Sequence, residues 1–128
     1  TDDEDHVISV VVSDTSDNIA YVAPVSVYVN NEINDITPPI GTISNPLSGQ
    51  TVSDTVAFTV IAQDDYGVAE VEFFIDGGTV AVDTQSPYQY DWDTTTLENG
   101  SQHTLSATVT DDAAHTTIVQ PVLVTVSN

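Results

Sequence analysis

His6–Asn31 and His103–Asn128 align without a gap. Ten of the 26 positions are identical: His6/His103, Ser9/Ser106, Val12/Val109, Asp14/Asp111, Val22/Val119, Pro24/Pro121, Val25/Val122, Val27/Val124, Val29/Val126 and Asn31/Asn128. The offset is 97 residues, and Glu32–Asn128 is one period of that length. The chain therefore reads as the tail of one module followed by one complete module. Such repetition marks a tandem array, whose units stack on neighbours and do spatial work more often than chemistry.

A module of 97 residues can bury a core of its own. Residues 1–31 cannot, because a lone two-stranded hairpin is marginal in water. Strands from elsewhere, a neighbouring copy among the sources, are expected to complete it. The absent start Met and the mid-module beginning are what an excerpt of a longer chain would carry. The expected organisation is residues 1–31 as the closing strand pair of a preceding module, 32–36 as a linker and 37–128 as a complete module.

Short alternating runs rich in Val, Thr, Ile and Tyr, punctuated by Gly, Pro, Asn and Asp, give the strand signal. They predict strands at Ile40–Ser44, Thr55–Ala62, Ala69–Asp76, Thr79–Asp83, Tyr88–Asp93, His103–Asp111 and Thr117–Ser127. Seven short strands at this spacing predict an all-β sandwich. Alternation assigns Val56, Phe58, Val60, Val71, Phe73, Ile75, Leu105, Ala107, Val109, Val122, Val124 and Val126 to the core. It pairs Ile8, Val10 and Val12 with Val25, Val27 and Val29 in the partial module. Asp76-Gly77-Gly78 is a tight hairpin turn, and Thr37-Pro38-Pro39 marks the module boundary.

The 128 residues contain no Lys or Arg against 20 Asp plus Glu, a formal charge of −20. That excludes electrostatic docking on nucleic acid and on anionic membrane. At roughly 6 Å two like charges repel by about 0.7 kcal/mol even in bulk water, so clustered acids call for salt or a divalent cation. Cysteine is absent, so no disulfide staples the fold. No segment reads as a membrane-spanning helix or a signal peptide.

Several motifs stand in a familiar order: Pro-Leu-Ser-Gly-Gln-Thr-Val (46–52), Asp-Asp-x-Gly-Val (64–68), Val-Glu-Phe-Phe-Ile-Asp-Gly (71–77), Ser-Pro-Tyr (86–88), Trp-Asp-Thr-Thr (92–95), Asn-Gly-Ser (99–101) and His-Thr-Leu (103–105). Together they resemble the bacterial Ig-like repeat family over about 37–126, and the tail of the pattern recurs at 6–29. In place of the family's Asp-x-x-Gly-Asn turn stands Asp111-Asp112-Ala113-Ala114-His115, which puts a non-glycine at the tight position. The resemblance implies an Ig-like seven-stranded sandwich and a structural role outside the cell: a spacer in adhesins and extracellular filaments, or an accessory module beside secreted hydrolases. Its partners would be neighbouring Ig-like modules or copies of itself, with any surface glycan or protein receptor bound elsewhere in the parent chain.

Strand direction alternates in such a sandwich, which carries Asp35, Asp64, Asp65, Asp111 and Asp112 to the pole facing the preceding module. From that module, Asp2, Asp3, Glu4 and Asp5 would approach the same junction. Hard oxygen ligands converging there suit Ca²⁺, which would stiffen the junction. The alternative is an acidic surface solvated in a salty medium, with Asp-rich turns that bind no specific ion.

No enzyme is expected. A Ser–His–Asp set can be assembled on paper, but no nucleophile-elbow pattern accompanies it. Asp64 and Asp65, adjacent on a turn, are expected to point apart. His115 lies beside Asp111 and Asp112, where a His/Asp metal site is a further reading. Tyr88, Tyr90 and Trp92 are expected to pack in the core rather than form a sugar-stacking platform.

Overall fold

Alternating β-branched and aromatic residues form strands throughout, and no helix occurs among the described residues. The structure, a computed structural model, describes residues 4–29 and 34–128. The chain divides into two units, Thr1–Asn34 and Asp35–Asn128.

The first unit holds β1 (Glu4–Ile8), β2 (Val11–Ser13), β3 (Ile19–Tyr21) and β4 (Val25–Val29). β1 pairs antiparallel with β4, and β2 with β3. Ile8 lies opposite Val25, but Val12 lies opposite Ala20 rather than a β4 residue. The partner changes between Tyr21 and Val25, where Pro24 has no N–H to donate to a ladder.

The second unit comprises β5 (Ile40–Asn45), β6 (Thr51–Val52), β7 (Thr55–Gln63), β8 (Val68–Ile75), β9 (Gly78–Asp83), β10 (Tyr88–Asp93), β11 (Gln102–Asp111), β12 (Thr116–Ile118) and β13 (Val122–Val126). One sheet has the order β10-β7-β5, the other β6-β13-β11-β8-β9, with β12 also on β11. This is an Ig-like β-sandwich. All seven expected strands are present, with two departures. The last divides into β12 and β13 around Pro121, for the same reason as at Pro24. A two-residue strand, β6, adds itself parallel to β13.

Phe58 of one sheet meets Phe73 of the other edge to face, with ring centroids 4.9 Å apart. Val56, Val60, Val71, Leu105, Ala107, Val109, Val124 and Val126 are buried around them, and Tyr88 and Trp92 are buried as well. Gly41 of β5 permits the sheets to close: a Cβ there would come 2.7 Å from Val109 Cγ2 and 2.9 Å from Val119 Cγ2. Asp76 and Gly77 both take positive φ, 52° and 82°, which makes the β8–β9 turn type I′.

The first unit repeats the closing strands of the second, β1 and β2 matching β11, β3 matching β12 and β4 matching β13. His6 lies opposite Val27 as His103 lies opposite Val124, and Ile8 opposite Val25 as Leu105 opposite Val122. Val11 faces Tyr21 as Thr108 faces Ile118. Val22 N–H donates to Val10 O as Val119 N–H donates to Ala107 O. The surroundings differ: Val12 is 53% exposed and Val27 39%, whereas Val109 and Val124 are 0% and 1%.

Candidate functional site

Antiparallel registry builds an acidic end on the second unit. Ile40 opposite Gln63 sets the entry to β5 beside the exit of β7, and Asp111 opposite Val68 sets the exit of β11 beside the entry of β8. Asp112 N–H donates to Gly67 O at 3.1 Å, which ties the β11–β12 turn to the β7–β8 loop. Asp35, Asp64, Asp65 and Asp111 therefore gather from distant points in the sequence.

Two overlapping groups result. One oxygen from each of Asp35, Asp64 and Asp65 lies within 4.8 Å of the others, and so do ligand atoms of Asp35, Asp111 and His115. Either group could hold a metal ion, and Asp35 belongs to both. Asp64 and Asp65 converge here, contrary to the expectation that neighbours on a turn point apart. The loop curls back because Asp64 Oδ2 accepts the N–H groups of Tyr66 and Gly67, at 2.8 and 3.0 Å. A depression of about 440 Å³ opens beside them, lined by Thr37, Pro38, Ile40, Gln63, Asp64 and Asp65.

Asp112 is exposed and belongs to neither group. Asp5 lies exposed on β1 in the first unit, and Asp2 and Asp3 lie outside the described residues. Asp35, expected in the linker, is buried within the second unit. Its Oδ1 accepts from Thr37 N–H and Thr37 Oγ1, both at 3.0 Å. The same hydroxyl reaches Asp65 Oδ1. Thr37 was missed as a site residue; the Asp35-x-Thr37 spacing of a side-chain-capped turn could have flagged it.

Asp111 is occupied differently. Its Oδ1 accepts from Ala113 and His115 N–H, both at 2.8 Å, and its Oδ2 meets His115 Nδ1 at 2.9 Å. Burial raises its pKa, but the His115 N–H, the His115 ring and the Ala113 N–H outweigh that and hold it below the usual carboxylate value. Ala114 takes the left-handed position at φ 70°, as the altered turn required.

At the far end of β11, Ser101 Oγ lies 2.9 Å from His103 Nε2, and His103 Nδ1 lies 2.6 Å from Asp76 Oδ2. The connectivity is that of a Ser–His–Asp relay. The Ser101 and Gly100 N–H groups are spent on Glu98 O and Val126 O, so neither is free to stabilise an oxyanion at that hydroxyl. Asp76 also accepts Thr104 N–H at 2.8 Å, so the set clamps the β8–β9 hairpin to β11.

These strands, their order and their core define an immunoglobulin-like module. The bacterial Ig domain family matches residues 39–107, more than half of the chain. The chain belongs to that family. Among solved structures it is similar to the fibronectin(III)-like modules of Clostridium thermocellum CbhA, at 18% identity and a TM-score of 0.59, over 68% of this chain and 94% of that one. It is also similar to an endo-beta-1,4-mannanase from Thermotoga petrophila, at 16% identity and a TM-score of 0.57, over 74% of this chain and 21% of that one. Both likenesses concern the fold. No curated protein matches the chain.

Proposed function

We propose that this chain is a structural segment of an extracellular protein built from tandem Ig-like repeats, such as a filament, stalk or adhesin spacer. The observation that carries the reading is the repeated strand register of the two units. Residues 4–29 hold the same ladder that closes the second sandwich, yet present its core valines to solvent. A closing pair of this kind is completed by further Ig-like strands, supplied by an adjoining module or by strand exchange between subunits. The acidic end of the second unit would take Ca²⁺ and stiffen the junction with a neighbour.

Hydrogen exchange of the full chain in dilute solution tests the assembly. Amides of Val25, Val27 and Val29 are expected to exchange rapidly while those of Val122, Val124 and Val126 are protected. Equal protection in a dilute monomer would refute it.

A second reading, an accessory module that recognises a glycan or a surface protein, draws on the likeness to the mannanase, of whose chain the match covers 21%. Burial of Tyr88 and Trp92 weakens it, since neither ring is available to stack on a sugar.

A further inference from the structure

Two carboxylates at the acidic end are each half used. Asp35 is 8% exposed, its Oδ1 is engaged by Thr37, and its Oδ2 is buried with no hydrogen-bond partner. Asp64 commits Oδ2 to the loop N–H groups, and its Oδ1 is likewise buried without a partner. Buried polar atoms without partners are rare, and a charged oxygen is the costliest kind to leave so. The shortage of positive charge extends to Asp65. The Thr37 hydroxyl faces both Asp35 and Asp65 but has one proton to give. No Lys or Arg exists in the chain, and the nearby His115 has its Nδ1 on Asp111.

We infer that Asp35, Asp64 and Asp65 together bind one Ca²⁺ ion within the second unit. This rests on the ion-bearing junction proposed above and sharpens it. All three ligands come from one unit, so the ion requires no carboxylate from residues 1–34. In Asp35 and Asp64 one oxygen shapes its own turn, and the other, buried and unpartnered, is left for the metal. Asp111 stands outside the site: both its oxygens brace their own turn, and Asp14 makes the equivalent contacts with Ser16 and Asn18 in the first unit.

The donor set selects the ion. All three donors are oxygens, and the adjoining depression leaves an open side for waters. Ca²⁺ accepts six to eight oxygens at about 2.3–2.6 Å in adaptable geometry, whereas Mg²⁺ demands a near-ideal octahedron at about 2.0–2.1 Å.

Titration calorimetry of the full chain with CaCl₂, in about 1 M NaCl where screening acts within about 3 Å, is the test. One saturable site per chain is expected, with Kd of about 10⁻⁴–10⁻³ M and a raised melting temperature. Asp35→Asn and the exposed Asp65→Asn should each weaken binding tenfold or more, while Asp91→Asn, with the same change of charge, leaves it intact. Circular dichroism verifies that each variant folds, and Asp65→Asn decides the matter if Asp35→Asn does not. Absence of saturable heat overturns the site, as does equal weakening by Asp91→Asn. Heat from MgCl₂ matching that from CaCl₂ overturns the assignment to calcium. None of these outcomes touches the exchange pattern of Val25, Val27 and Val29, so the ion and the tandem assembly fail separately.

Discussion

Asp111 and His115 face each other across the β11–β12 turn, ring nitrogen to carboxylate at 2.9 Å, and the Asn18 side-chain amide donates to Asp14 at the equivalent place at 2.7 Å. In both turns the acid also accepts two N–H groups, and the residue before the partner takes a positive φ. An Asp at this position is therefore a brace for the turn.

The brace has a pH signature. Asp111 has its folded pKa below the ordinary 3.8, burial being outweighed by donors. A depressed carboxylate contributes stability above its unfolded pKa and loses it as pH falls through the folded value. Wild type should melt above Asp111→Asn at pH 7, and that gap should close below about pH 4. Melting curves of the pair from neutral to acid pH check this, and the difference between them removes the general relief of charge repulsion.

Equivalent valines should respond very unequally to one substitution. Val124→Asp buries a charge in the sandwich and should cost more than about 4 kcal/mol or abolish folding. Val27→Asp, at the same ladder position in the first unit, should leave denaturant stability of the second unit within about 0.5 kcal/mol. Urea titration followed by Trp92 fluorescence reads both.

Gly41→Ala should destabilise by about 1–3 kcal/mol, because its methyl group would collide with Val109 and Val119. An unchanged urea midpoint would mean the sheets part without strain.

Ser101 should resist an active-site fluorophosphonate despite its relay to His103 and Asp76. Its own N–H and that of Gly100 are already donated, leaving an oxyanion unsupported by them. Mass spectrometry of the treated chain checks this; a labelled Ser101 would mean the relay activates the hydroxyl.

Much of the sandwich was legible because a pleat forces alternation. Phe58, Val71, Phe73 and Leu105 fall inward wherever their strand is half-buried, whatever surrounds it. The gathering of Asp35, Asp64, Asp65 and Asp111 was legible for a related reason, since antiparallel order fixes which loops share an end. The division of labour among these acids was not. Which carboxylate oxygen is consumed by its own turn depends on where backbone N–H groups point, and residue type does not carry that. Asp64 and Asp65 were expected to diverge because adjacent side chains on a simple turn do; the side-chain cap at Asp64 bends the loop otherwise. β6 escaped notice because two residues are too few to show a period.

The last residue of the chain has a consequence for how force would pass through this module. Asn128 accepts from Asp54 N–H and Thr94 Oγ1, donates its side-chain amide to Thr94 O, and gives its own N–H to Asn99. β13 ends beside this hook, laddered to β11 on one side and to the parallel β6 on the other. Tension entering at the C-terminal end would run lengthwise along that strand, loading its bonds in shear so that they must yield together rather than unzip one after another.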